Sequence, residues 1–261
     1  MSNAINSFLV AKVRAGKSDR YLRTMKNSLT KFARGRSGLL LDDVTVEAVE
    51  RWLDDSDWNG TTRRGYLRDV RTLYNFAVRR GMTVNNAPSA VELPDRSASA
   101  IGIHTPAEAR AVLECARKMD LNLCRAMAVR YFAGLRSSEC DRLTEDCIRA
   151  DTGYIEVTAG NAKTRRRRLI EISDTLGALL ALGGILPLGN SGQRMSALVK
   201  ASGVPWPNNA SRHSFVSYSV ALHGSKDTAL RAGHSEDMLF QHYRALVTKA
   251  DAEAFWAIRP A

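Results

Sequence analysis

The chain has 261 residues, 44% of them hydrophobic and 25% charged, the balance of a soluble globular protein with room for one large or two modest domains. It has no apolar run long enough to span a membrane and no convincing signal peptide at its start, so a cytoplasmic location is expected. The net charge of +11 favours a polyanionic partner such as nucleic acid. Cys115, Cys124, Cys140 and Cys147 lack C-x-x-C pairing, which points to reduced thiols rather than disulfides or a zinc site.

In chain order, residues 5–34 predict one or two amphipathic helices, because Phe8, Val13, Tyr21, Met25, Leu29 and Phe32 recur at helical spacing. Their polar faces carry Lys12, Arg14, Lys17, Arg20, Arg23, Lys26 and Lys31, either a phosphate-binding stripe or a solvated face. Thr45 reads as the N-cap of a short helix to Leu53. A stronger helix is predicted from Thr61 to about Arg80, with Arg63, Arg64 and Arg68 off its apolar face and Gly81 at its end. Residues 1–87 therefore predict a bundle of about four helices, basic on one side. Residues 88–103, with Pro88, Pro94 and a Ser/Ala run, read as a linker.

A second domain is predicted over 104–261. Thr105 and Glu108 form a capping box around Pro106, opening helices at 107–118 and 122–133 that Gly134 ends. Residues 154–157 and 168–172 have strand character, with a turn signal at Gly160-Asn161 between them. Helices are expected at about 174–182, 192–201, 209–222, 225–232, 236–245 and 248–257.

Cleaving a phosphodiester through a protein nucleophile requires that nucleophile, cations on the non-bridging oxygens, an acid for the leaving oxygen and a partner for the nucleophile's proton. Candidates stand in order along the chain. Arg136 lies in Gly134-Leu135-Arg136-Ser137-Ser138-Glu139, and Lys163 lies on the predicted hairpin. They are followed by Arg212-His213, by Gly233-His234 and by Tyr243. This series resembles the signature of the tyrosine recombinases, the phage integrase family. It does so by motif over 104–261 and by architecture alone over 1–95.

The resemblance implies a mainly α chain. An N-terminal helical bundle, a SAM-like core-binding domain, would precede a mixed α/β C-terminal catalytic domain with a small β-hairpin or sheet, the DNA breaking-rejoining enzyme fold. It implies site-specific DNA recombination, or integration, of the kind mobile elements use. Tyr243 would be the nucleophile, forming a 3′-phosphotyrosyl link. Arg136 and Arg212 would clamp the phosphate, Lys163 would be the general acid, and His234 would bind a phosphate oxygen. Glu139 would support an arginine.

Asn209 stands where the family has a histidine in His-x-x-Arg-His, and an amide cannot take up a proton near neutral pH, so the base role is open with His234 as one candidate. Lys12, Lys26, Arg63, Arg64, Arg68, Arg165, Arg166 and Arg167 are the expected DNA contacts. The chemistry calls for no cofactor and no metal. The expected partners are double-stranded DNA, where the protein would be nucleoid-associated, and further copies of the chain, four in a synapse. The tail after Tyr243 either docks on a neighbouring copy, as the resemblance implies, or packs on its own domain. Two other readings stay open: a type IB topoisomerase-like enzyme, and a DNA-binding protein without catalysis on the same scaffold.

Overall fold

The computed structural model describes residues 1–36, 38–55, 57–95, 101–160, 167–233, 235–243 and 246–260, with the backbone alone at 240–242. The chain falls into two compact units, Met1–Ser99 and Ala100–Ala261.

The first unit is helical: α1 (Ser2–Arg14), α2 (Asp19–Ala33), α3 (Val46–Asp54), α4 (Gly60–Arg79) and the short α5 (Ala87–Ala90). Side chains of Ser18, Thr45 and Asn59 accept the orphan N–H groups that open α2, α3 and α4. The apolar stripe of α4, Leu67, Val70, Leu73, Tyr74 and Ala77, is buried against Phe8 of α1, Leu29 and Phe32 of α2, and Val49 of α3. Part of the expected linker belongs to this unit. Pro88 and Val91 are buried, and Arg71 of α4 donates to the carbonyls of Pro88 (2.9 Å) and Ser89 (3.4 Å), fastening α5 in place. Two prolines alone did not predict this, because the arginine that holds the segment lies a full helix upstream.

The second unit is built around α7 (Leu121–Phe132), in which every residue from Leu123 to Phe132 is buried. It is packed by α6 (Pro106–Met119), α9 (Asp174–Leu180) and α11 (Ala210–Ala232). A helix buried all round must satisfy its polar residues inside. Arg125 pairs with Glu145 (2.6 Å) and Arg130 with Asp141 (3.1 Å). The predicted capping box of Thr105 and Glu108 opens α6. A one-turn helix, α8 (Ser137–Cys140), follows α7, and α10 (Ser191–Ser202) packs on α6.

The sheet is antiparallel with order β1 (Ile148–Arg149), β2 (Tyr154–Val157) and β3 (Arg168–Glu171). Ile155 pairs with Ile170, and both face the core. β1 was not expected from the sequence; two residues are too few to show alternation. Gly224, at φ 78° and ψ 172°, breaks α11 where the sequence separates two helices. Then come α12 (Glu236–Tyr243) and α13 (Lys249–Trp256). The tail packs on its own unit: Phe255 is buried and stacks on Tyr218 at 4.3 Å, and Thr175 donates to the carbonyl of Trp256. No described helix is long and apolar enough to cross a membrane.

Candidate active site

The site starts at the end of α7. Gly134 has φ +58°, and a side chain there would run into the ring of Phe215, so only glycine allows both the turn and the approach of α11. The turn carries the chain through Arg136 into α8. Glu139, one turn on, accepts from the Arg136 backbone N–H (3.1 Å) and from its Nη1 (2.9 Å). On its other side the same carboxylate accepts from Arg168 Nη2 at 2.6 Å. Burial alone would raise the Glu139 pKa, but the hydrogen bonds and charge of Arg168, and then those of Arg136, hold it down at about 2. It is an anion locked between two cations.

Arg212 enters from the first turn of α11. Its Nη1 donates to the Gly134 carbonyl and its Nη2 to the Ala232 carbonyl at 2.6 Å. Arg136 Nη2 donates to the next carbonyl, Gly233, at 3.1 Å. The two arginines therefore converge on one turn, and Arg168 lies against it, 3.5 Å from where a Gly233 side chain would begin. Burial, then repulsion from Arg136, push the Arg212 pKa down to about 9, partly offset by Glu139; it stays a cation at neutral pH. Arg136 and Arg168 pair with the one carboxylate and Arg212 feels its charge, so the three guanidiniums and Glu139 leave two net positive charges, which suits an incoming phosphate.

Tyr243, at the end of α12, is 3% exposed. Its hydroxyl lies 2.5 Å from His213 Nδ1. The charge of Arg212 by itself would make this phenol more acidic. In the structure the net direction is upward, because burial outweighs the opposing charge of Arg212. His213 is shifted down by burial and then by Arg212, so its ring is neutral at pH 7.

Of the residues expected from the sequence, Arg136, Glu139, Arg212 and Tyr243 are brought together. Lys163, Arg165, Arg166 and His234 lie outside the described residues. Asn209 caps α11 in a left-handed conformation at φ 56°, is exposed, and makes no side-chain cap hydrogen bond. Arg167 is exposed and donates to Glu156 at 2.7 Å. In the first unit Lys26 and Arg68 are exposed, and Lys12 lies over the Phe8 ring at 5.0 Å. Arg63 pairs with Asp54, and Arg64 donates to the Pro94 carbonyl at 3.0 Å, so both also serve the fold of that unit. Lys26 lines a groove with Lys31, Arg34 and Tyr66.

Two site residues were missed. Arg168 was read only as part of a strand, although period-two alternation puts it on the face of the buried Ile170. His213 was seen only as part of a motif, without its contact to the tyrosine.

This architecture, a helical unit followed by a mostly helical unit with a three-stranded antiparallel sheet, is shared with solved integrase structures. It is similar to a lambda integrase dimer bound to a COC′ core site, with TM-score 0.77 and 16% identity over 95% of this chain and 97% of that one. It is similar also to the Tn1549 transposon integrase in complex with circular intermediate DNA, with TM-score 0.71 and 17% identity over 96% of this chain and 98% of that one. A lambda integrase tetramer bound to a Holliday junction aligns with TM-score 0.71 and 17% identity over 90% of this chain and 77% of that one. No family model matches the sequence, and no curated protein matches it. At these identities the likeness is one of fold.

Proposed function

We propose that this chain is a tyrosine recombinase, which breaks and rejoins DNA at specific sites through a covalent 3′-phosphotyrosyl intermediate. The observation that carries this reading is the convergence of Arg136, Arg168 and Arg212 on Glu139 and the Ala232–Gly233 turn, with the Tyr243 hydroxyl beside the same helix. The guanidiniums that here hold carbonyl oxygens are the groups that take the non-bridging oxygens of a phosphate. In the transition state, where charge on those oxygens grows, they contribute most. Tyr243 attacks phosphorus, Lys163 protonates the leaving 5′ oxygen and His234 holds a phosphate oxygen. The arginines supply the charge that a metal supplies in other phosphoryl-transfer enzymes.

The first unit grips the duplex through Lys12, Lys26 and Arg68, and the hairpin through Arg165, Arg166 and Arg167. Binding therefore weakens steeply with salt. Working on DNA, the protein belongs at the nucleoid, and joining two duplexes requires four copies in one synapse. The test is a nicked suicide duplex carrying a site selected from random DNA. Wild type is expected to form a covalent adduct and Tyr243→Phe none. Absence of the wild-type adduct on a tightly bound site sinks the reading. Relaxation of supercoiled DNA without paired sites points instead to a topoisomerase.

A further inference from the structure

We infer that His213 is the proton acceptor for the attacking tyrosine, a role that falls to it because Asn209 cannot fill it. The inference rests on the recombinase reading above. His213 Nδ1 lies 2.5 Å from the Tyr243 hydroxyl, at hydrogen-bond distance from the atom that would attack phosphorus. The contact is enclosed: Tyr243 is 3% exposed and sits in an apolar cluster with Phe215, Val216 and Leu239. Asn209, by contrast, is exposed and is tied to His213 only through its backbone carbonyl, which accepts from the His213 N–H at 2.9 Å. Asn209 is the left-handed cap just outside α11, whereas His213 lies one turn inside it. A histidine one turn further along reaches the phenol.

The charge environment agrees. The charged and titratable groups facing His213 among the described residues are Arg212 on its own helix and Tyr243 on α12. Burial first, and then Arg212, disfavour imidazolium, which keeps the ring neutral and able to accept before DNA binds. An incoming phosphate neutralises that repulsion, and the transition state, with more negative charge on the same oxygens, does so further. His213 therefore becomes a better base as the reaction begins.

In cleavage, the bond from Tyr243 Oη to phosphorus forms and the bond from phosphorus to the 5′ oxygen breaks. The phenolic proton moves to His213 Nδ1, and the leaving oxygen takes its proton from the acid, Lys163 in the reading above. In rejoining, the 5′ hydroxyl attacks, Oη leaves, and His213 returns the proton.

The experiment measures single-turnover adduct formation from about pH 5 to 8 on the selected site. The site is made with an ordinary phosphodiester or with a 5′-bridging phosphorothiolate, whose thiolate leaves without an acid. Wild type on the phosphorothiolate is expected to slow on the acid side, below the ordinary histidine value of 6.5, as His213 protonates. His213→Asn is expected to react about 100-fold more slowly on both substrates, the yield of one general base. It should also lose the acid limb and recover at least about tenfold with added imidazole.

A His213→Asn rate within about threefold of wild type overturns the inference, as does full recovery on the phosphorothiolate, which marks an acid. If His213→Asn does not fold, the wild-type profile decides, and a flat acid side overturns it. Wild-type adduct lost in Tyr243→Phe, together with unimpaired His213→Asn, removes this inference alone. Absence of any wild-type adduct removes the recombinase reading and this inference with it.

Discussion

Glu139→Gln is the most informative single change in the cluster. The carboxylate is 1% exposed and accepts from Arg136 at 2.9 Å and Arg168 at 2.6 Å. Two routes give its worth. A carboxyl whose pKa falls from 4.5 to about 2 on folding contributes about 3 kcal/mol at neutral pH. Removing one partner of a buried ion pair strands the other, which costs about 3–5 kcal/mol. Glutamine keeps the shape but not the charge, and it presents an N–H₂ donor to two guanidiniums that need acceptors. The expected loss is about 3 kcal/mol, confined to the second unit.

The pH dependence has a fixed sign. The folded pKa lies below the unfolded one, so the contribution is complete above pH 4.5 and is lost as pH falls towards about 2. Urea unfolding, with hydrogen exchange read on peptides covering α7, α8 and β3, separates this unit from the other. A loss below about 1 kcal/mol, with an acid limb between pH 4.5 and about 2 unchanged from wild type, refutes the ion-pair argument. The double cycle with Arg168→Ala should show coupling of about 2 kcal/mol, since both substitutions remove the same pair.

Gly134→Ala combines left-handed backbone strain with a collision against Phe215, so it should cost about 2–4 kcal/mol, measured by the same urea unfolding; a neutral effect contradicts the packing of α11 on the turn. His104 is buried, with Nε2 donating to the Pro205 carbonyl at 2.9 Å and Nδ1 accepting from the Tyr131 hydroxyl. Burial lowers its pKa below 6.5, so the stability it contributes is present above that pH and lost as pH falls through the lowered value. His104→Gln should flatten the fall in Tm between about pH 7 and 5.5, and an unchanged slope places the titration elsewhere. Phe255→Ala should destabilise the second unit by about 3–5 kcal/mol in the isolated chain, because its buried ring packs against Tyr218 and Phe132 and its removal leaves a cavity there; a loss seen only in DNA-bound assemblies means that α13 packs on a neighbouring copy.

What the sequence shows and what it hides follow from the range of the interactions. The capping box at Thr105 and Glu108, the break at Gly224 and the apolar stripe of α4 are local: each is set by residues within a few positions, so each is legible. The anchoring of Pro88 is not legible in the composition of 88–103, because Arg71, which fastens it, is seventeen residues away. Arg168 closes a run of four arginines that look alike as letters. Only pairing with Val157 in the sheet turns it inward to Glu139.

Asn209 is a similar case. As a pattern, the motif lacks its base. In the structure, Asn209 is the exposed cap of α11, and the histidine one turn inside the helix touches the Tyr243 hydroxyl. A motif fixes which letter stands where, but proton transfer depends on which atoms meet. In this helix the acceptor needed at the phenol is supplied one turn further along than the pattern placed it.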